Sequence, residues 1–302
     1  MKITFLSGGT GTPKLIRGFR KILNDEDISV IVNTAEDMWI YGSHLSPDID
    51  TLMYLFSGML DTDRWWGIKG DTTVTNDFLK SLGEDVYLTL GDKDRAVNIA
   101  RGRLLREGKT LTEATSELCR RLGVSANILP MCDTEITTNI LTEKGLIHFQ
   151  EYWVKHRANI GIRKIKRTFK ISPIATNDAL SSLKQSDLII VGPSNPVTSI
   201  SPILECSGII QSLKEKPVVA VSPFIGDKPV SGPAKELMDA WNIPSNSKGA
   251  YSLYRDFTDL FIQDIRDSET IEGAVKFDTL MLNENISKSL AENIIKEVRE
   301  LI

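Results

Sequence analysis

Apolar residues in this chain follow two rhythms. Nearly unbroken apolar runs occur at Ile3-Thr4-Phe5-Leu6, Ile28-Ser29-Val30-Ile31-Val32, Asp187-Leu188-Ile189-Ile190-Val191 and Pro217-Val218-Val219-Ala220-Val221. Short runs bounded by turn residues predict buried strands. Between and beyond them, apolar residues recur at helical spacing. The predicted helices start near Leu15, at Thr51 (capped by Asp50), at Thr73 (closed by Gly83), near Asp92 (ending about Glu107), at Leu111 and at Ser287, the last running to about Leu301. Thr110-Leu111-Thr112-Glu113 matches a capping box. Strand and helix in alternation predict an α/β fold, a Rossmann-like, doubly wound and mostly parallel sheet. The rhythm breaks from Asn127. Ile136–Leu141 and Leu146–Val154 alternate like strands about a Thr142-Glu143-Lys144-Gly145 turn, which predicts a hairpin. Ile160–Phe169 is a further strand-like stretch. The expected organisation is one domain over 1–302 with an antiparallel insertion at about 127–170. The insertion's basic residues Arg163, Lys164, Lys166 and Arg167 read as a solvated edge strand protected by charge.

The connection after the first run organises the rest. Ser7-Gly8-Gly9-Thr10-Gly11-Thr12-Pro13-Lys14 joins a buried strand to a helix. That layout turns backbone N–H groups and a helix N-terminus toward an anion. Thr12 reads as the N-cap, Pro13 as the first helical residue, and Lys14 adds a full charge. The pattern is not the dinucleotide fingerprint, because Lys14 stands where the third glycine belongs, nor is it a P-loop. A tight turn that binds nothing is the plainer alternative, but it leaves the hydroxyls of Thr10 and Thr12 without a task.

Composition narrows the class. The 302 residues are 41% hydrophobic and 25% charged, which is globular. A formal net charge of −4 argues against a general nucleic-acid binder. Cys119, Cys132 and Cys206 are scattered, form no metal motif and read as reduced thiols. No apolar run approaches the ~20 residues that span a bilayer. A cytoplasmic protein is expected.

Other polar clusters fall at the ends of predicted strands, where doubly wound folds place ligands. Asn33, Glu36 and Asp37 follow the second run, and an acidic residue there can hold a ribose hydroxyl or cap a helix. Ser46-Pro47-Asp48-Ile49-Asp50-Thr51 carries two carboxylates two residues apart, read as extended so that both face one side. Such a pair can share Mg²⁺ or take a proton from an alcohol; a helix cap is the commoner role. Trp65 and Trp66 are adjacent, so one can pack inward while the other lines a cleft. Ser194 and Asn195, in Gly192-Pro193-Ser194-Asn195-Pro196, can form the opposite wall of a nucleotide pocket.

Taken together, the segments resemble the 2-phospho-L-lactate transferase family of coenzyme F(420) biosynthesis. They are Ser7–Lys14, Asn33–Asp37, Ser46–Thr51, Arg64–Gly67, Leu90–Arg95, Ile147–Trp153, Gly192–Pro196 and Val230–Ala234, in family order over nearly the whole chain. The resemblance implies transfer of a phospholactyl group from lactyl-diphospho-guanosine to the ribityl hydroxyl of FO, a 5-deazariboflavin, with release of GMP and a need for Mg²⁺. It also suggests a homodimer. The donor's phosphates would lie on Gly8, Gly9, Thr10, Gly11, Thr12 and Lys14, with Asn33, Ser194 and Asn195 about the nucleotide. Asp48 and Asp50 are the expected catalytic and metal-binding pair, Asp48 nearer the metal and Asp50 nearer FO. Trp65, Trp66 and Met53 would line a slot for the tricyclic ring. By resemblance Asp50 and Thr89 contact FO; some relatives carry a basic residue where this chain has Thr89. A regulatory nucleotide-sugar-binding protein of the related gluconeogenesis-factor family shares the opening Gly-Gly-Thr-Gly. An NAD oxidoreductase is disfavoured by the glycine pattern.

Overall fold

A computed structural model describes residues 1–226, 228–230 and 232–299. Ser231, in the Val230–Ala234 segment, and the end of the last predicted helix lie outside the described residues.

The four apolar runs are strands, as the pattern predicts. In chain order the strands are β1 (Ile3–Ser7), β2 (Ile28–Val32), β3 (Met38–Ile40), β4 (Ser43–Leu45), β5 (Asn127–Pro130), β6 (Ile136–Thr142), β7 (Gly145–His148), β8 (Lys164–Phe169), β9 (Leu188–Val191), β10 (Val218–Val221), β11 (Phe224–Ile225), β12 (Lys228–Pro229), β13 (Leu260–Asp264) and β14 (Val275–Phe277). Seven of them form one all-parallel sheet in the order β14-β13-β10-β9-β1-β2-β5. Side chains of each strand alternate between two cores. Phe5, Val30 and Ile190 face one, while Leu6, Ile31 and Ile189 face the other.

From β1 the chain winds outward through β2 to β5, then returns to β1's other side at β9 and winds away through β10 and β13. The direction of winding reverses between β1 and β9, which opens a crevice beyond their carboxyl ends. Three helices border it: α1 (Gly11–Phe19), α2 (Pro47–Phe56) and, after α3 (Val74–Ser81), α4 (Asp92–Arg106). The helix after α4, Leu111–Arg121, carries the expected capping box: Glu113 N–H donates to Thr110 Oγ1 at 3.1 Å, and Thr110 N–H to Glu113 Oε2 at 2.8 Å.

Several boundaries differ from expectation for identifiable reasons. The helix after the glycine loop begins at Gly11 with Thr10 as its cap residue, so Thr12 is inside the first turn rather than capping it. Helix α2 starts at Pro47, a residue pre-shaped for the first helical position, and not at Thr51. Asp48 and Asp50 therefore sit on helical backbone, where residues two apart point about 200° apart instead of to one side. Strand β5 pairs with β2 as the edge of the main sheet, which leaves β7-β6-β8 as the antiparallel unit. The hairpin is present, but its second strand stops at His148. The chain then turns through a π-helical turn at Glu151–Lys155, which buries Phe149 and Tyr152 in the core. Among the described residues no helix is long and apolar enough to cross a membrane.

Candidate active site

The loops that follow β1 and β9 clasp each other at the crevice. Gly8 N–H donates to Ser194 Oγ at 3.3 Å, and the Ser194 hydroxyl donates to the Gly8 carbonyl. The hydroxyls of Thr12 and Ser194 lie 2.6 Å apart. A Cβ on Gly11 would overlap the Pro193 carbonyl oxygen, so glycine is needed there for loop to pack on loop. Gly9 differs: its φ of 59° is left-handed, and a Cβ there would meet only Ser199 Oγ, at 3.7 Å. Of this loop, Gly9 and Thr10 line the cavity that the crevice encloses.

That cavity has a volume of about 480 Å³. Helix α2 contributes Asp48, Asp50 and Tyr54 to its lining, and the first turn of α4 contributes Asp94. Phe149, Gln150 and Trp153 close the side opposite, from the turn that interrupts the insertion. Thr89, Arg64, Trp66 and Asn195 also line it, and Trp66 is 44% exposed.

The polar groups of the cavity are unusual in sign. Glu36, Asp48, Asp50 and Asp94 are all at least nine-tenths buried and all line it. Asp48 Oδ1 accepts from Gly9 N–H at 2.7 Å, and its Oδ2 accepts from Asn33 Nδ2 at 2.9 Å. Burial pushes the Asp48 carboxyl up to about 6 against the pull of those two donors. Glu36 Oε2 accepts from Gln150 Nε2 at 2.9 Å. Burial, and then the charge of Asp48, hold its carboxyl well above the usual range. Asp50 is in a different position. Its two oxygens accept from the two terminal nitrogens of Arg101, a fully buried guanidinium that also donates to the His44 carbonyl at 3.1 Å and Asn98 Oδ1 at 3.2 Å. Burial pushes the Asp50 carboxyl up and Arg101 pulls it back. A guanidinium keeps its proton, so Arg101 is a fixed positive charge against Asp50. Behind them Asp37, joined to the Ser46 hydroxyl, is held well above its ordinary range by burial.

The sequence matches the family described as 2-phospho-L-lactate transferase CofD over residues 3–300. It is 52% identical over 296 residues to the 2-phospho-L-lactate transferase of Methanospirillum hungatei, covering 98% of each chain. The corresponding protein of Methanocorpusculum labreanum is 52% identical over 297 residues, with 97% of this chain and 98% of that one covered. The chain belongs to the 2-phospho-L-lactate transferase CofD family. It is accordingly an enzyme, a transferase. A solved structure of a UPF0052 family member from Bacillus halodurans superposes with a TM-score of 0.65 over 97% of this chain and 98% of that one. At 15% identity that likeness speaks for the fold alone.

In this transferase the expected site residues divide. Gly9, Thr10, Asp48, Asp50, Thr89, Trp66 and Asn195 line the cavity. Gly8, Gly11, Thr12 and Ser194 build the clasp behind it, and Asn33 holds Asp48 while its own Oδ1 takes the Ala35 N–H at 3.0 Å. Lys14 is turned away, its Nζ 5.4 Å from the centre of the Trp65 ring. Trp65 itself is buried beneath Lys14 and Arg17, so of the tryptophan pair it is Trp66 that reaches the cleft. Met53 is wholly buried in the core under α2 and does not line the cavity. Of the basic run on β8, Arg167 is not solvated: it turns inward to donate to the Val197 carbonyl and pairs with Glu205 at 3.3 Å.

A metal shared by Asp48 and Asp50 does not fit this arrangement, because Arg101 already holds both oxygens of Asp50. Asp48 with Glu36 does fit. Both carboxylates are buried, Asp48 raises the proton affinity of Glu36, and no guanidinium among the described residues is bonded to either, which is the imbalance a divalent cation would relieve. Among the described residues no group of three or more His, Cys, Asp or Glu is arranged for a metal. A two-carboxylate site completed by water and phosphate oxygens is the usual manner of Mg²⁺. Tyr54 and Asp94 are the cavity's unexpected members, and Arg101 stands fully buried behind Asp50. Their signal is faint but real: Asp94, Asn98 and Arg101 recur at helical spacing, a polar stripe on the buried face of α4.

Proposed function

We propose that the enzyme moves a 2-phospholactyl group from lactyl-diphospho-guanosine to the ribityl hydroxyl of FO, forming the glutamate-free core of coenzyme F(420) and GMP. One observation carries the reading. A single cavity joins a backbone N–H at a left-handed glycine, a set of buried carboxylates and an exposed tryptophan at the mouth. A diphosphate needs the first, an alcohol nucleophile the second, and a flat tricyclic ring the third. The volume suits one such ligand with the reacting end of a second.

In this reading the donor's diphosphate approaches Gly9 and Thr10 from the α1 end, with Asn195 beside it. Asp48 and Glu36 would hold Mg²⁺, which when bound neutralises charge on the phosphoryl oxygens. Trp66, with Trp153 opposite, bounds the slot for the deazaflavin ring. Asp50, fixed by Arg101, accepts a hydrogen bond from the ribityl chain, and Thr89 offers a hydroxyl beside it. A cytoplasmic homodimer belongs to the same reading.

The test uses the intrinsic fluorescence of FO and release of GMP. FO added to the enzyme should change its emission saturably, and donor plus FO plus Mg²⁺ should release GMP. Asp48→Asn should cut that release at least ~100-fold, the scale of losing a charge-stabilising group. Absence of both FO binding and GMP release in the wild type would overturn the reading.

A further inference from the structure

We propose that Asp94 is the group that takes the proton from the attacking hydroxyl, with Tyr54 positioning it. The inference rests on the proposed phosphoryl transfer and asks which carboxylate is free to act. Asp50 is not, since both of its oxygens bind Arg101. Asp48 has an N–H donor on each oxygen, and Glu36 faces it across the cation position. Asp37 has one oxygen on Ser46 and the other sealed from the cavity. Asp92 lies outside, accepting from Thr72 Oγ1 at 2.6 Å and from the N–H groups of Val74 and Thr75 at the start of α3.

Glu36 Oε1 also takes no hydrogen bond among the described residues, but Glu36 is the neighbour of Asp48 in the cation position; of the carboxylates left, Asp94 has an oxygen to spare. Its Oδ1 accepts from Tyr54 Oη at 2.7 Å and from Asn98 Nδ2 at 3.5 Å. Its Oδ2 takes no hydrogen bond among the described residues and is not sealed, although the residue is only 5% exposed and lines the cavity. The two bonds to Oδ1 fix the plane of the carboxylate, so Oδ2 is aimed rather than free. Tyr54 is wholly buried and its phenol is held well above the ordinary range by burial, so it stays the donor.

The proton affinity suits the task. Burial, then the charge of Asp50, push the Asp94 carboxyl up to about 7, with Asp71 adding in the same direction and Tyr54 and Arg101 opposing. A base poised near neutrality is at its most effective there. In the step, the ribityl O–H proton passes to Asp94 Oδ2 as the ribityl oxygen bonds to the phosphorus bearing lactate. The bond from this phosphorus to the oxygen bridging to GMP breaks, and GMP leaves with the electron pair. Asp94 then returns its proton to solvent.

Single-turnover rates against pH test the assignment in the intact enzyme. The wild-type rate should rise with pH through an acid limb near neutrality, as Asp94 loses its proton. Asp94→Asn should fall ~100-fold or more and lose that limb, while FO still binds by fluorescence. Tyr54→Phe removes a donor that favours the ionised carboxylate, so its limb should move upward by about half to one pH unit. A lesion in packing alone lowers the rate at every pH and moves no limb. Turnover of Asp94→Asn within a few-fold of wild type, or an unmoved limb in Tyr54→Phe, overturns the role of Asp94 with the function intact. If Asp94→Asn fails to fold, the limb of Tyr54→Phe decides. A wild type that neither binds FO nor releases GMP removes the function and the base together.

Discussion

Replacing Asp50 by asparagine is nearly isosteric, yet it should damage the protein. Arg101 is fully buried and bonds both oxygens of Asp50, with only the His44 carbonyl and Asn98 Oδ1 as further acceptors. The amide of Asp50→Asn would keep one acceptor and turn a donor toward the other guanidinium nitrogen. The guanidinium cannot shed its proton to escape. Stranding a buried charge in this way costs about 3–5 kcal/mol. Unfolding entropy of about 2.1 cal/mol/K per residue over 302 residues makes that a fall of about 5–8 °C in Tm. Arg101→Met alone strands a carboxylate instead, and a carboxylate can protonate. Its folded pKa would then lie further above the unfolded value. The penalty is small below that unfolded value and grows as pH rises through the folded one, so Arg101→Met should lose more stability at pH 8 than at pH 5. Combining the two substitutions removes both charges and should restore most of the Tm lost in Asp50→Asn. Calorimetric melts at the two pH values, beside GMP release, give the answer. Asp50→Asn melting within a degree of wild type would refute the reasoning. So would a double variant no more stable than Asp50→Asn. A double variant that melts normally and turns over normally would show that Asp50 serves the fold only.

Two glycines separate packing from binding. Gly11→Ala drives a Cβ into the Pro193 carbonyl, backbone against backbone, and should cost about 1–3 kcal/mol as overpacking; Gly9→Ala has open space but must hold a left-handed φ of 59°, so it should cost about 1–2 kcal/mol of backbone strain and weaken donor binding beyond that, as read by calorimetric titration beside a melt. Asn195→Ala removes the acceptor of the Val197 and Thr198 N–H groups, at 2.9 and 3.3 Å. It should lower stability by about 1 kcal/mol and raise the donor KM several-fold; a lowered Tm with an unchanged KM would make Asn195 a cap and nothing more.

Much of the fold is legible because its determinants are local. The four apolar runs of β1, β2, β9 and β10 carry their own signal, and a parallel sheet buries them on both faces. The tryptophan pair splits inward and outward as adjacency requires. Strand β13 is masked because it ends in Gln263 and Asp264, buried only through partners distant in sequence such as Thr279, whose N–H donates to Asp264 Oδ2 at 2.9 Å. The site was legible to the level of its loops but not of its side chains. Reading Ser46-Pro47-Asp48 as extended, when Pro47 opens the helix, converts two diverging carboxylates into a pair. The error matters because the partner that claims Asp50 comes from Arg101, in another helix. Burial of an arginine is decided by its counter-charge, and no local pattern states which carboxylate that is.

The charge balance of the cavity constrains how the proposed donor can enter. Glu36, Asp48, Asp50 and Asp94 face one small space, and the one cation bonded to any of them among the described residues, Arg101, is committed to Asp50. The best anion-binding donor there, Gly9 N–H, is already held by Asp48 at 2.7 Å. A diphosphate approaching Gly9 therefore meets a carboxylate where it needs a proton donor. Protonating Asp48 and Glu36 would admit the anion, but it would also remove the charges that could hold a cation. In the proposed reaction a divalent cation between those two carboxylates would solve both problems, since it would draw Asp48 off the backbone N–H and offer its remaining positions to phosphate oxygens. Cation and donor would then bind as a unit, each raising the other's affinity, as linkage requires. In the proposed reaction Asp94 would stand outside that exchange, with burial and then the charge of Asp50 raising its proton affinity toward neutrality for the one step that needs it.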